Sequence, residues 1–332
     1  MKLVQSLQEH TACVWHAAWS HTSDLLATCG ADKSVRVWGK DAKGSADLPA
    51  AAQLQCKETM DGCATRSMRC CEWSRCGRYL AAVSFDASVL VWELEAGAME
   101  PLASLEGHEN EVKSIAWNAA GTLIATCARD KTVWLWDADA EADFECVSVL
   151  PGHGGDVKSV QWHPTEDVLL SCSYDNSMRV WKDDGDDWVT TQVLEGHSTT
   201  VWEASFSPDG NQLASVDGDG CVIIWQLLQS GVYKEVSRIP AAHEGPAYSA
   251  AWCPHGSGVL ATAGADDSIA LHRTGCSAEG GAAAPWSTVM RQEGAHQGDV
   301  NCVRWHPREA GLLVSTGDDG RVITWVVATE LL

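Results

Sequence analysis

His108, Thr126 and Asp130 carry the residue types of a hydrolase triad, and Trp136 follows them. In such a triad the imidazole takes the hydroxyl proton and the carboxylate steadies the resulting cation. The same types recur along the chain: His10/Thr28/Asp32, His153/Ser171/Asp175, His197/Ser215/Asp219, His243/Thr262/Asp266 and His296/Ser315/Asp319. In each, the hydroxyl residue stands four places before the Asp. Such repetition reads as structure rather than catalysis: a buried hydrogen-bond network that fixes a turn. A second candidate chemistry is thiolate ligation, since the chain holds 14 Cys. No Cys-x-x-Cys occurs, and the densest group, Cys56, Cys63, Cys70, Cys71 and Cys76, fits no zinc or iron–sulfur spacing. Cys29, Cys127 and Cys172 share one repeat position and read as small buried hydrophobes. No metal, cofactor or catalytic residue is therefore expected. The start, MKLVQSLQEH, is no secretion signal, so free thiols in a reducing compartment are expected.

The elements that carry these residues follow from the same spacing. Six Trp lie six residues after an Asp: Trp38, Trp92, Trp136, Trp181, Trp225 and Trp325; at the seventh place His272 follows Asp266. A His stands nine residues before an aromatic in six copies, as in His108/Trp117. Successive Asp are 54, 44, 45, 44, 47 and 53 residues apart. A period in the forties with these marks is the WD40 signature. In the third copy VKSIAW (112–117), TLIATC (122–127), TVWLW (132–136) and FECVSVL (144–150) read as four short strands. Seven such units predict an all-β, seven-bladed WD40 β-propeller, one domain over residues 1–332. The last copy supplies three strands, so residues 3–7 (LVQSL) are expected to complete its blade and remove an open edge. Copy two has CATRSM (63–68) and Ala82 where Gly-His and Ser/Thr should stand, so it is expected to lack the network. Twelve of the 17 Trp are thereby repeat marks; Trp15, Trp134, Trp188, Trp202 and Trp286 are not.

Charge narrows the function. The chain has 45 acidic and 23 basic residues, a formal net charge of −22, with 45% hydrophobic residues. It is globular, and phosphate backbones or anionic lipid would repel it; neither nucleic acid nor membrane is an expected partner. No apolar stretch approaches the ~20 residues of a membrane span. Two repeat positions are predicted to project toward one face and its central opening. The first precedes the Asp: Ala31, Phe85, Arg129, Tyr174, Gly218, Ala265 and Asp318. The second opens the first strand: Trp15, Arg69, Lys113, Lys158, Trp202, Tyr248 and Asn301. Arg69, Lys113, Arg129 and Lys158 gather on copies two to four, with Phe85 and Tyr174 flanking Arg129. A basic–aromatic patch on so acidic a protein suits a peptide carrying carboxylates and a large aromatic. The acidic runs DADAEADFE (137–145) and KDDGDDW (182–188) read as solvated loops, and the small-residue stretches 39–52 and 273–286 as mobile insertions.

Residues 105–136 (LEGHENEVKSIAWNAAGTLIATCARDKTVWLW), FECVSVL, SYDNSMRVWKDDGDDW (173–188), LEGHSTTVW (194–202) and GDVNCVRWHP (298–307) resemble the eukaryotic cytosolic iron–sulfur protein assembly WD40 family, the Ciao/Cia propeller subunits. The resemblance runs over all seven copies and is strongest over 102–226. It implies a non-enzymatic scaffold, cytoplasmic and also nuclear, that hands finished clusters to apoproteins. The partners it implies are a MIP18 (DUF59) type adaptor, a HEAT-repeat targeting protein, an iron-hydrogenase-like cluster carrier, and iron–sulfur apoprotein clients with acidic, Trp-ending tails. The family's functional Arg lies in an SRDK-type turn; here Ala128-Arg129-Asp130-Lys131 matches it at Arg129. The alternative reading is a WD40 subunit of another assembly, a chromatin or ubiquitin-ligase adaptor.

Overall fold

The computed structural model describes residues 1–40, 53–138, 144–256, 258–275 and 285–332. These residues form seven four-stranded antiparallel sheets, the blades of a β-propeller. Blade three shows why the sequence folds this way. Its strands are β10 (Val112–Trp117), β11 (Leu123–Ala128), β12 (Val133–Asp137) and β13 (Cys146–Leu150). β11 is buried at every residue but its first, because neighbouring blades cover both its faces. The outer strand β13 is short and mostly exposed up to Leu150, since only one side has a sheet to pack on. The apolar inner strands fill the gaps between blades, so each core cluster draws on two neighbouring sheets; Val89 and Val91 of blade two pack with Val112 and Trp136 of blade three. One blade could not bury these faces alone; the ring does.

Closure follows the expected route. The first strand, β1 (Lys2–Leu7), pairs with β28 (Val322–Val326) in the order β1-β28-β27-β26, with β26 at Val300–Trp305 and β27 at Leu312–Gly317. The last blade thus takes its outer strand from the N-terminal segment. The acidic run 137–145 and the stretches 39–52 and 273–286 lie largely outside the described residues. The other acidic run forms an exposed turn in which the Asp183 and Asp184 carboxylates accept nearby backbone N–H groups.

Candidate functional site on the propeller face

The repeated His–Asp–Ser/Thr–Trp sets are buried networks. In blade three His108 Nδ1 lies 2.7 Å from Asp130 and Nε2 2.9 Å from Thr126 Oγ1, which also accepts the Trp136 indole N–H at 2.9 Å. Asp130 further accepts the Thr132 N–H and hydroxyl. Burial opposes ionisation of Asp130, but these hydrogen bonds outweigh it and hold its carboxyl below the usual range. The hydroxyl is thus already tied into the network, and the network pins the Ala128–Lys131 turn that carries Arg129. Lys131 sits at φ 70°, in the left-handed region, and Arg129 N–H donates to Glu111 O at 3.0 Å.

Three blades depart from this pattern. In blade two Asp86 accepts the Thr65 N–H and hydroxyl, where other blades offer a histidine. In blade six His272 replaces Trp and bridges Thr262 and Thr288. Blade five corrects the sequence reading: His197 pairs at 2.7 Å with Asp217, not Asp219. Asp217 is buried and also accepts the N–H groups of Asp219 and Cys221, whereas exposed Asp219 accepts the Ser198 hydroxyl.

The face opening is built by a repeated backbone irregularity. In every blade the first strand carries a register shift beside its second residue: Trp15, Arg69, Lys113, Lys158, Trp202, Tyr248 and Asn301. A bulge leaves its extra residue outside the ladder and re-aims the side chain. All seven line one cavity of about 340 Å³, with Phe85, Asp299 and Asp318. Trp15 and Trp202 therefore belong to this mouth, whereas Trp134, Trp188 and Trp286 pack against the repeat's own Trp136, Trp162 and Trp252.

The three basic residues of the cavity each lie over an aromatic ring. Lys113 Nζ is 4.2 Å from the Phe85 centroid, Lys158 Nζ 5.1 Å from Trp202 and 5.4 Å from Tyr174, and the Arg69 guanidinium 5.6 Å from Trp15. These are cation–π contacts. Burial, with Lys158 and Arg69 nearby, lowers the Lys113 pKa to about 8. Lys158 also meets Asp156 at 3.4 Å.

Arg129 and Tyr174 stand outside the cavity lining, on the rim. Arg129 is 58% exposed and pairs with Glu111 at 3.3 Å, while the Phe85 and Tyr174 rings lie under the Lys113 and Lys158 ammonium groups. Arg66, which the sequence reading missed, binds the same Glu111 oxygen at 3.1 Å and the Phe85 carbonyl at 2.8 Å. It sits in blade two's irregular loop, where repeat counting gives no signal. The rim thus presents two guanidinium groups on one carboxylate, beside a basic, aromatic mouth.

Among the described residues no group of three or more His, Cys, Asp or Glu side chains is placed to hold a metal ion, and the described cysteines are free. No described helix is long and apolar enough to cross a membrane.

Ring closure, the tryptophan networks and the face cavity define a WD40 β-propeller. A profile described as the first β-propeller of IFT122 matches residues 67–279, and one described as WD domain, G-beta repeat matches residues 1–39 and 287–325. The chain is 39% identical to a Caenorhabditis elegans protein named a probable cytosolic iron-sulfur protein assembly protein CIAO1 homolog, covering 97% of this chain and 96% of that one. It is 40% identical to the Ciao1 protein of Culex quinquefasciatus, covering 98% and 97%. It is also 40% identical to a Schizosaccharomyces pombe protein named a probable cytosolic Fe–S cluster assembly factor, over 97% of this chain but only 53% of that protein, so the chain spans about half of that relative's length. The chain belongs to the CIAO1 family of cytosolic iron–sulfur protein assembly proteins.

Proposed function

We propose that the protein is a non-enzymatic scaffold of cytosolic iron–sulfur cluster assembly, recruiting apoproteins and adaptors for cluster insertion. The observation that carries this reading is the convergence of Arg69, Lys113 and Lys158 with Phe85, Trp15 and Trp202 at one mouth of a chain of charge −22. Arg129 and Arg66 stand on its rim. That chemistry suits a tail with carboxylates and a terminal indole: the guanidinium forks take acidic groups, and the rings offer stacking surface. Tyr174 extends the aromatic surface outward. The network of His108, Thr126, Asp130 and Trp136 serves as support by fixing the Arg129 turn. The partners are a MIP18-type adaptor, a HEAT-repeat protein, an iron-hydrogenase-like carrier and clients with acidic, Trp-ending tails, in the cytoplasm and nucleus.

The test is a pull-down from eukaryotic cytosol with wild type and Arg129→Glu. The side chain is 58% exposed, so the variant keeps its fold. Wild type should recover the adaptor, the HEAT-repeat protein and iron–sulfur clients, and the variant should lose clients. Recovery of cullin or histone-modifying partners by the wild type, or an unchanged partner set in the variant, overturns the proposal.

A further inference from the structure

The mouth cavity is polarised. Arg69, Lys113 and Lys158 face it from blades two to four, and Asp299, Asp318 and Asn301 face it from blade seven. Among the described residues no ion pair joins the two walls; Lys158 pairs with Asp156 on its own strand's side. The acidic wall is ordered from within. Asp299 accepts the Tyr248 hydroxyl at 3.1 Å, and Asp318 accepts Asn301 Nδ2 at 2.9 Å. Asn301 is only 9% exposed, and its Nδ2 also reaches Val14 O at 3.1 Å. Burial raises the Asp299 pKa against the lowering effect of the Tyr248 hydroxyl, and the nearby Asp318 carboxylate adds to the rise.

A purely anionic ligand would be drawn to one wall and repelled by the other, and desolvation in the cavity strengthens both effects. A ligand bearing both charges satisfies each wall. Building on the reading of this face as a peptide site, we infer that the cavity selects a dipolar peptide end: a carboxylate on Arg69, Lys113 and Lys158, and a Lys ammonium or Arg guanidinium from a neighbouring residue on Asp299 and Asp318. The acidic wall is then the specificity element, and the peptide's own cation distinguishes one acidic tail from another.

The probes are two peptides capped with fluorescein at the N-terminus and free at the C-terminus, Gly-Lys-Asp-Trp and Gly-Met-Asp-Trp. They are titrated by anisotropy against the full chain, as wild type, as Asp299→Asn/Asp318→Asn and as Lys113→Met. Wild type should bind the Lys peptide about tenfold more tightly than the Met peptide. The double variant should erase that preference while binding the Met peptide as well as before or better, and Lys113→Met should weaken both. Raising the salt concentration on wild type, which needs no variant, should shrink the preference as well. Equal wild-type affinities, or a preference that survives in the double variant, overturn the inference but leave the peptide reading of the face intact. Failure of wild type to bind either peptide overturns both.

Discussion

Arg304 of blade seven and Glu203 of blade five meet inside the channel, Nη2 to Oε1, at 2.5 Å. The same guanidinium donates to Ser249 Oγ of blade six at 2.9 Å and lies 2.8 Å from His16 Nε2 of blade one. Glu203 Oε2 accepts the Ala250 N–H at 2.8 Å. Burial, then Arg304 itself, drives the His16 pKa well below its usual value, so a neutral ring accepts this hydrogen bond. One side chain thereby links four blades and separates the basic, aromatic mouth from a cavity of about 220 Å³ at the opposite end.

Arg304→Met should cost about 3 kcal/mol in urea unfolding, because it strands Glu203 in the channel. Adding Glu203→Gln removes the stranded charge, so the double variant should recover part of the loss. A double variant destabilised by the sum of its singles would show that the two residues act independently.

The architecture was legible because most blades bury the same indole and satisfy the same hydroxyl, which stamps a countable period on the chain. The residues lining the mouth were legible for a related reason: a bulge at one repeat position aims Trp15, Arg69, Lys113, Lys158, Trp202, Tyr248 and Asn301 alike. Contacts that break the period were not. Arg304 and Glu203 are 101 residues apart and share no local pattern. Arg66 lies in the one loop that abandons the repeat. In blade five two aspartates stand two places apart, and spacing favoured the wrong one.

That last difference separates two variants. Asp217→Ala should destabilise by about 2 kcal/mol, since it leaves His197 Nδ1 and two N–H groups without this acceptor. Asp219→Ala removes one hydrogen bond at an exposed carboxylate and should change stability by less than ~0.5 kcal/mol. Chemical denaturation of both checks this, and the reverse order would restore Asp219 to the network.

Blade six should make the fold acid-sensitive. Burial, with His243 and Arg291 nearby, lowers the His272 pKa from the ordinary 6.5 to about 3. Its folded-state pKa is depressed, so the unfolded chain binds the proton first. The contribution is complete above pH 6.5 and is lost as pH falls toward 3. Replacing His272 with Trp, the residue of the other blades, should flatten the fall in stability between pH 6.5 and 4 by up to about 3 kcal/mol. Urea midpoints across that range measure the slope; parallel slopes would place the titration elsewhere.

The closing strand offers the largest effect. β1 pairs with β28 from Lys2↔Val326 to Leu7↔Val322, buries Leu7, and sends Gln5 to the backbone N–H and carbonyl of Leu54 in blade one. It therefore ties blade seven's outer edge to the blade at which the ring begins. Deleting residues 1–9 removes these contacts together with His10's approach and exposes the β28 edge, whose unpaired N–H and C=O groups are a template for another chain. The truncated protein should melt roughly 10 °C lower and associate in size-exclusion chromatography at concentrations where the full chain does not. A truncated protein that melts with the full chain would mean that the ring holds without this strand.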